Sequence, residues 1–244
     1  MPCLNEERNV SRFETALVKP LEDLGVPFEL VFVDDGSRDG TFRFLSRLVD
    51  RHRNVRVVRH PSNLGLGMAL RTGFASCGGD WIATLDADLT FRPSQLRNLL
   101  RRQRETGADL VSGSPFLRPK GLNQASWYRR LPSAAANQLY RRVLGGAFTS
   151  YTPILRLYRA SALKSLPLKS RGFEINAEIA ARFMLTGLKI AETPALLTTR
   201  RHGVSKLSPL KETARHFLLL AKLVRERGRL SLAGFSRTKK GRRA

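Results

Sequence analysis

Short apolar runs alternate with longer amphipathic segments along the first half of the chain. The apolar runs occupy residues 28–33, 55–58, 81–85 and 109–112. Their length and composition are typical of strands that are covered on both faces. The segments between them have helical patterns of roughly 10–15 residues, which begin near Ser37, at Ser62 or Asn63, and at Pro93. This alternation predicts βα units stacked into a largely parallel sheet, and hence an α/β fold.

The pattern changes near Ser208, so we divide the chain into residues 1–207, 208–230 and 231–244. The middle segment predicts an amphipathic basic helix, whose apolar stripe either packs against the preceding domain or lies on an anionic bilayer. The stripe consists of Leu210, Phe217, Leu220 and Val224, and the opposite basic face of Lys211, Arg215, Lys222 and Arg225. The last segment ends in SRTKKGRRA and is expected to be a basic disordered tail.

The strong positive charge narrows the choice of partner. The 244 residues include 43 Lys and Arg against 20 Asp and Glu, which leaves a formal charge of +23. Such an excess implies an anionic partner, which could be nucleic acid, an acidic membrane surface or a phosphorylated substrate. A nucleic-acid-binding protein is disfavoured, because the sequence has neither a recognition motif nor basic residues interleaved with aromatic ones.

Cysteine spacing and hydropathy indicate where in the cell the protein is expected. Cys3 and Cys77 lack the spacing of metal ligands, which favours a reducing cytosol. No run approaches the ~20 apolar residues that span a bilayer, and the first residues lack the pattern of a signal peptide. We therefore expect a cytoplasmic protein without a transmembrane segment, either soluble or bound peripherally to a membrane.

Two carboxylates follow the third apolar run. In TLDADLTF, Asp86 and Asp88 come after residues 81–85, at the carboxyl end of a predicted strand, where ligands of α/β sheets bind. Paired carboxylates suit Mg²⁺ or Mn²⁺, since Mg²⁺ is usually held by one or two carboxylates together with substrate phosphates. The alternative is that both aspartates only cap the following turn.

The first apolar run also ends on acids. VDDGSRDGT places Asp34 and Asp35 before Gly36, where carboxylates can accept hydrogen bonds from a nucleobase or ribose and glycine permits close approach of the backbone. An Asp-Gly turn with a helix cap is the alternative. In PCLNEE, Glu6 and Glu7 precede a helix, whose dipole would also favour them.

A set of segments occurs in an order that resembles a known family. They are PCLNEE, VDDGSRDGT, NLGLGMALRTGF, LDADL, RGFEINAEI and RRHGVSK, between residues 2 and 207. Together they resemble the inverting family 2 glycosyltransferases of GT-A fold. The last two are most similar to the dolichol-phosphate and polyprenol-phosphate mannosyltransferase branch. The resemblance implies that residues 1–207 are a GT-A catalytic domain, with helices flanking a mostly parallel central sheet.

The resemblance also implies an activity, the metal-dependent inverting transfer of a hexose to a polyprenyl or dolichyl phosphate. The expected sugar is mannose from GDP-mannose. Two alternatives remain: a glycosyltransferase of the same fold that uses UDP-glucose or another acceptor, and an inactive relative that serves as a binding subunit. The implied partners are a nucleotide-sugar donor, a polyprenyl-phosphate acceptor and the anionic cytoplasmic face of a membrane, with Mg²⁺ or Mn²⁺ as cofactor and without nucleic acid.

Site residues follow from the resemblance, position by position. The implied nucleotide-sugar site comprises Pro2, Leu4, Glu6, Val33, Asp35, Asp86, Ala87, Asp88, Arg200 and Lys206. Within it, Asp86 and Asp88 match the metal ligands that hold the donor diphosphate. Arg200 and Lys206, which follow a strand-like segment at residues 196–199, match basic residues near the donor and acceptor phosphates. Together with Asp88 they are the expected catalytic residues.

The expected chemistry needs no strong general base. A polyprenyl phosphate is already ionised at neutral pH and can attack the anomeric carbon directly. The protein would position both reactants and stabilise the departing nucleoside diphosphate with the metal and cationic side chains. Direct displacement would invert the anomeric configuration.

Several positions depart from the family pattern or allow two interpretations. Thr90 stands where relatives often have glutamine, a better metal ligand, and Pro115 where they commonly have a phosphate-binding arginine. Glu178, one helical turn after Glu174, matches a family acid but could equally be a solvated or capping side chain.

Relatives carry an interior strand directly before the P-x-x-N-E motif. Because this chain begins at Met1, we expect the first strand to be missing through a truncated or misplaced start.

Overall fold

The computed structural model describes residues 1–117, 127–145, 148–200 and 209–240. Among these residues the strands are β1 (Pro2–Cys3), β2 (Leu30–Asp34), β3 (Val55–Arg59), β4 (Trp81–Thr84), β5 (Leu110–Ser114), β6 (Arg156–Arg159) and β7 (Ile190–Pro194). The α-helices are α1 (Glu7–Val10), α2 (Lys19–Glu22), α3 (Thr41–Arg51), α4 (Leu66–Ser76), α5 (Leu96–Thr106), α6 (Trp127–Leu144), α7 (Ala160–Lys164), α8 (Ile175–Leu185) and α9 (Pro209–Lys240). A π-helical turn spans Glu14–Val18, and 3₁₀ turns span Pro93–Gln95 and Pro115–Leu117.

The strands form two sheets. One contains β1, β2 and β3, which are parallel, and the other has the order β4-β6-β5-β7. In the second sheet β5 and β7 are parallel, whereas β6 is antiparallel to both of its neighbours. The predicted α/β alternation is confirmed. The sequence did not predict β6, because its residues RLYR include two arginines, which obscure the apolar signal of a buried strand.

The N-terminal residues form a short strand beside β2. Pro2 pairs with Val33 and Cys3 with Asp34, and the Met1 amine donates a hydrogen bond to the Val31 carbonyl over 2.7 Å. Burial lowers the pKa of this amine below its ordinary value. The structure thus places a two-residue strand where the sequence analysis expected none.

Two local predictions need correction. Residues 196–199 are not a strand: β7 ends at Pro194, and Leu197 makes only an isolated bridge with Phe91. The helices predicted to begin near Ser37 and near Ser62 begin later, at Thr41 and Leu66. Ser37 lies in the loop before α3, where its hydroxyl accepts the backbone amide of Asn5, and Asn63 lies in the loop before α4, where its side chain accepts the Gly65 amide. Those loops form the candidate site described below.

Helix α9 packs against the domain with a face that the sequence did not predict. The buried side chains are Leu219, Leu220 and Leu223, while Phe217, Leu218 and Val224 are 59%, 73% and 53% exposed. The predicted stripe is divided between two faces, with Leu220 buried and Phe217 and Val224 exposed, because the run FLLLAKLV is apolar on more than one side. The helix continues to Lys240, so residues 231–240 do not form a separate tail. Among the described residues, no helix has the length and apolar character needed to cross a bilayer.

Candidate active site

A cavity opens at the carboxyl ends of β1, β2 and β3. Its volume is about 710 Å³, and its walls include Leu4, Asn5, Gly36, Arg38, Arg59 and His60. Ligands of α/β sheets bind outside the carboxyl ends of the strands. This cavity is therefore where the expected nucleoside would lie. Of the residues predicted for the nucleotide site, Leu4 lines it.

The loops after β1 and β2 hold each other through reciprocal hydrogen bonds. The Asn5 amide donates to the Ser37 hydroxyl over 2.9 Å, and the Arg38 amide donates to Oδ1 of Asn5 over 2.8 Å. Gly36 has a φ of 73°, and a Cβ there would lie 2.4 Å from the Ser62 carbonyl carbon. Glycine is required at this position, as the sequence predicted, because any side chain would collide with the neighbouring loop.

Asp35 is bonded to the loop after β3. Its Oδ1 accepts the Leu64 amide over 2.9 Å and lies 2.7 Å from Nδ1 of His60, and its Oδ2 accepts the Gly65 amide over 2.9 Å. The residue is 3% exposed. Its carboxylate therefore positions the cavity wall, and a direct contact with a nucleoside stays a prediction.

Other residues predicted around the nucleoside lie behind or beside the cavity. Pro2 and Val33 are paired between β1 and β2, and the Val33 side chain is fully buried. The Glu6 amide donates to Oγ1 of Thr41 over 2.7 Å, and the Glu6 carboxylate accepts a hydrogen bond from Nδ2 of Asn9 over 2.6 Å. Glu6 is thereby fixed directly before α1.

The glycine segment that follows β3 packs against the backbone of residues 170–171. Gly65 has a φ of 93°, and the Gly67 amide donates to the Arg171 carbonyl over 2.7 Å. A Cβ on Gly67 would lie 2.2 Å from the Ser170 carbonyl oxygen. The segment is thus a close-packed turn, which brings the amides that bind Asp35 into place.

Glu178 holds the other side of this contact. Its side chain is fully buried. Its Oε2 accepts the Lys169 and Ser170 amides over 3.0 and 2.8 Å, and its Oε1 accepts a hydrogen bond from Nε of Arg182 over 3.1 Å. Burial alone would raise the pKa of Glu178, but these hydrogen bonds and the Arg182 charge outweigh it and lower the pKa. Glu178 is therefore neither solvated nor a cap, and instead shapes the loop beside the glycine segment.

Asp86 and Asp88 lie in a tight turn after β4, with Ala87 buried between them. The Leu89 amide donates to the Asp86 carbonyl over 3.1 Å, and Leu89 has a φ of 51°. Among the described residues other than glycine, a positive φ occurs at Asn5 and Leu89, both of which lie at the candidate site. Backbone strain of this kind clusters at functional sites because the surrounding structure must hold it in place.

Both oxygens of Asp88 are engaged. Oδ1 accepts the Thr90 amide over 3.0 Å. Oδ2 accepts a hydrogen bond from Nε of Arg200 over 2.7 Å and lies 2.6 Å from Nη2 of the same guanidinium. The Asp88 side chain is 5% exposed and that of Arg200 is 22% exposed. The structure thus brings together two of the three residues predicted to be catalytic.

Asp86 carries a strongly shifted pKa. Burial is the largest cause, and the charges of Asp88 and Glu6 add to it, so that the pKa rises to about 8 although Arg200 opposes the shift. Glu6 is therefore close enough to the aspartate pair to affect its ionisation. This coupling links the acidic turn after β4 to the cavity at the ends of the first three strands.

The chemistry of this pair fits a divalent cation. Two partly buried carboxylates, one of which resists ionisation, would both be favoured as anions by a cation between them. Across the four described stretches of the chain, no group of three or more His, Cys, Asp or Glu side chains could hold a metal. Asp86 and Asp88 would therefore hold the cation together with substrate phosphates and water, as is usual for Mg²⁺.

Two pairs of hydrogen bonds, which we call the clamp, hold residues 196–198 beside the acidic turn and thereby position Arg200. The amide and hydroxyl of Thr198 both donate to the Thr90 carbonyl over 2.9 Å. Nε2 of Gln95 donates to the Leu196 carbonyl over 2.9 Å, and the Leu196 amide donates to Oε1 of Gln95 over 2.7 Å. Thr90, considered above as a poor metal ligand, thus serves through its backbone oxygen. Gln95 and Thr198 were not singled out in the sequence, where isolated polar residues carry no signal of a distant partner.

Two further positions from the family comparison are Pro115, which the structure describes, and Lys206, which it does not. Pro115 begins a 3₁₀ turn directly after β5. Lys206 lies outside the described residues, so its place near phosphates stays a prediction. One arginine outside the set of predicted site residues, Arg156 on β6, is fully buried and donates to neutral oxygens of Ser112, Asn176, Ser150 and Tyr151. Arg156 is therefore a structural residue, and it does not reach the site.

Comparison with known proteins identifies relatives of this chain. The family model described as Glycosyl transferase family 2 matches residues 1–166. An undecaprenyl-phosphate 4-deoxy-4-formamido-L-arabinose transferase of Edwardsiella ictaluri is 31% identical over 215 residues, which cover 86% of this chain and 62% of that protein. A dodecaprenyl-phosphate galacturonate synthase of Rhizobium johnstonii is 30% identical over 208 residues, which cover 84% of this chain and 60% of that protein. The chain thus spans about three-fifths of the length of these curated relatives.

Solved structures share the fold. Glucosyl-3-phosphoglycerate synthase from Mycobacterium tuberculosis, in complex with Mn²⁺, uridine-diphosphate-glucose and phosphoglyceric acid, matches with a TM-score of 0.64 and 22% identity. The match covers 93% of this chain and 77% of that one. At this identity the likeness concerns the fold alone, and it confirms the GT-A arrangement expected from the sequence.

Proposed function

The chain belongs to glycosyl transferase family 2, and from this premise we propose that it transfers a sugar from a nucleotide-sugar donor to the phosphate of a polyprenyl lipid. The observation that carries the proposal is the ion pair between Arg200 and Asp88 in the acidic turn after β4. Glu6, in the loop that follows β1, raises the pKa of Asp86 in this turn, and the preceding residues Leu4 and Asn5 line the cavity at the ends of β1, β2 and β3. The two curated relatives, whose names specify polyprenyl phosphates, support the acceptor class.

The donor binds with its nucleoside in the cavity and its diphosphate toward the acidic turn. Asp86 and Asp88 would hold a divalent cation, Mg²⁺ or Mn²⁺, which would supply positive charge to the departing diphosphate. Glu6, fixed before α1, is close enough to this pair to raise the pKa of Asp86. Arg200 and Lys206 serve the phosphates of donor and acceptor, since arginine can bind a phosphate with two parallel hydrogen bonds and lysine acts as a compact charge.

No side chain is required to remove a proton from the acceptor. The phosphate oxygen of a polyprenyl phosphate is an anion at neutral pH, so the protein contributes by orienting it in line with the anomeric carbon. The rest of the rate enhancement comes from stabilising the negative charge that develops on the departing diphosphate. A direct displacement of this kind inverts the configuration at the anomeric carbon.

The sugar proposed from the family resemblance is mannose, carried by GDP. The curated relatives are named for 4-deoxy-4-formamido-L-arabinose and galacturonate, so the second candidate is a different sugar carried by another nucleotide. The dolichyl and bacterial polyprenyl chains are alternative forms of the same acceptor. A donor and acceptor panel separates these possibilities.

The chain works at the cytoplasmic face of a membrane, to which it binds peripherally. Support comes from the outer apolar face of α9, which we define as Phe217, Leu218 and Val224. Lys211 and Arg225 are exposed on the same helix. Apolar residues beside basic ones favour an anionic lipid surface, where each Lys or Arg contributes about 1 kcal/mol. The inner face of α9 packs on the domain, and this packing leaves the outer face for the proposed contact with lipid.

An inactive relative that acts as a binding subunit is the alternative of another class. Its motivation is the loss of the expected ligands at Thr90 and Pro115. The test is a transfer assay with radiolabelled nucleotide sugars, Mg²⁺ or Mn²⁺, and polyprenyl phosphate in detergent. A lipid-soluble labelled product supports the proposed function and names the donor, whereas the absence of product with every donor favours the binding subunit.

A further inference from the structure

The contact between Arg200 and Asp88 has a consequence for cation binding. Two guanidinium nitrogens lie 2.6 and 2.7 Å from the same oxygen, Oδ2, and the other carboxylate oxygen accepts the Thr90 amide. A divalent cation at a carboxylate oxygen lies only about 2.0–2.2 Å away and needs several further oxygen ligands around it. The guanidinium occupies the space that such a ligand shell requires at Oδ2.

Electrostatics lead to the same conclusion as geometry. A guanidinium that remained in contact with Oδ2 would lie within a few ångströms of the cation, in a partly buried place where like charges repel strongly. Arg200 must therefore leave Oδ2 when Asp88 binds a cation through that oxygen.

We infer that Arg200 and a divalent cation compete for Asp88, so that the cation releases Arg200 to bind the substrate phosphates. The inference rests on the proposed function for the identity of those phosphates, but the competition itself involves only this chain and the cation. The contact between Arg200 and Asp88 is thus made without a cation and broken with one, beside the place proposed for the diphosphate.

The clamp on residues 196–198 determines what can move. Thr198 is held to the Thr90 carbonyl by two hydrogen bonds, and Leu196 is held to Gln95 by two more. The backbone therefore stays beside the acidic turn when the Arg200 side chain swings away. Loss of the Gln95 side chain would loosen the segment and weaken the hold of Arg200 on Asp88, although both residues remain.

The test is a direct measurement of Mn²⁺ binding, without donor or acceptor, by the electron paramagnetic resonance signal of free Mn²⁺. Arg200→Gln should lower the dissociation constant roughly tenfold, within the usual range of coupling between two binding events. Gln95→Leu, which keeps Arg200, should lower it by a smaller factor. Asp88→Asn combined with Arg200→Gln should abolish the tighter binding, which locates it at this pair.

Arg159→Gln is the matched control. Nε of Arg159 lies 2.7 Å from Oδ1 of Asp109, the same length of ion pair on another part of the surface, and its loss should leave Mn²⁺ binding unchanged. Thermal unfolding of each variant verifies the fold. The inference is overturned if Arg200→Gln binds Mn²⁺ no more tightly than the wild type, or does not bind it at all. A failure of sugar transfer by the wild type, by contrast, would contradict the proposed function and leave this result untouched.

Discussion

The guanidinium of Arg200 reaches Oδ2 of Asp88 over 2.7 Å, although the two residues lie 112 positions apart in the chain. The contact joins the turn after β4 to the segment after β7. It places a cation beside the pair of acids that is expected to hold a metal. Because Arg200 and the metal are inferred to compete for Asp88, the charges of Asp86 and Asp88 are the first properties to test.

Asp88→Asn should abolish sugar transfer while leaving the fold intact. The amide oxygen of asparagine can still accept the Thr90 amide, but the charge that holds the cation is lost. We expect a loss of at least about 100-fold in turnover, which corresponds to about 2.7 kcal/mol of transition-state stabilisation. Turnover is measured at limiting metal, with Asp109→Asn as the control for removal of an ion-paired aspartate. A wild-type rate would rule out the metal role of Asp88.

The stability of the cation-free protein should depend on Asp86 and pH. The ordinary pKa of 3.8 is raised to about 8 by burial and by Asp88. Between these values the folded state binds more protons than the unfolded state, so this contribution to stability is full below pH 3.8 and is lost as the pH rises through about 8. Asp86→Asn, which cannot ionise, should therefore gain in melting temperature over the wild type between pH 5 and pH 9, in the presence of EDTA. An equal melting temperature across this range would contradict the shifted pKa.

Lys206→Ala should lower turnover at least about 100-fold with little change in thermal stability. The reason is the role proposed for Lys206 at the substrate phosphates, where it acts together with Arg200. Arg201, a basic residue of the same RRHGVSK segment for which no contact with phosphate is proposed, provides the control: Arg201→Ala should retain near-normal turnover. Near-normal turnover of Lys206→Ala on polyprenyl phosphate would end the assignment.

Replacement of the outer apolar face of α9 should weaken membrane binding. Phe217, Leu218 and Val224 are exposed, so changing all three to serine removes apolar contacts with lipid without opening the core. We expect less sedimentation with phosphatidylglycerol vesicles and little binding to phosphatidylcholine vesicles by either protein. A truncation after Ser208 is less informative, because it would also remove the buried Leu219, Leu220 and Leu223. Equal sedimentation of the triple variant and the wild type would contradict the membrane role.

The sequence predicted the acidic turn but not its partner. Asp86 and Asp88 follow a short apolar run, and the rule that strand ends bind ligands places them at the site. The arrival of Arg200 depends on Gln95, whose side chain bonds to a backbone group 101 positions away. Such long-range hydrogen bonds leave no periodic trace in a sequence, which is why the strand-like pattern of residues 196–199 predicts a strand that the structure does not contain.

Burial was predicted well where one face was apolar and poorly where several were. β2 is buried along its whole length, as its continuous apolar run indicated. In α9 the consecutive leucines make more than one face of the helix apolar. The face that contains Leu223 is the one that packs on the domain. Asp35 shows a related limit: nothing in the sequence indicated that both of its carboxylate oxygens hold the loop after β3, while its contact with a nucleoside stays a prediction.

Transfer itself is the most direct test of the account. Purified protein is incubated with Mn²⁺, undecaprenyl or dolichyl phosphate in detergent, and each of a panel of radiolabelled nucleotide sugars that includes GDP-mannose and UDP-glucose. The account predicts a lipid-soluble labelled product that requires the lipid phosphate and the divalent cation, and that disappears in Asp88→Asn. A protein that is folded and binds Mn²⁺ but yields no lipid-soluble label with any donor would contradict it.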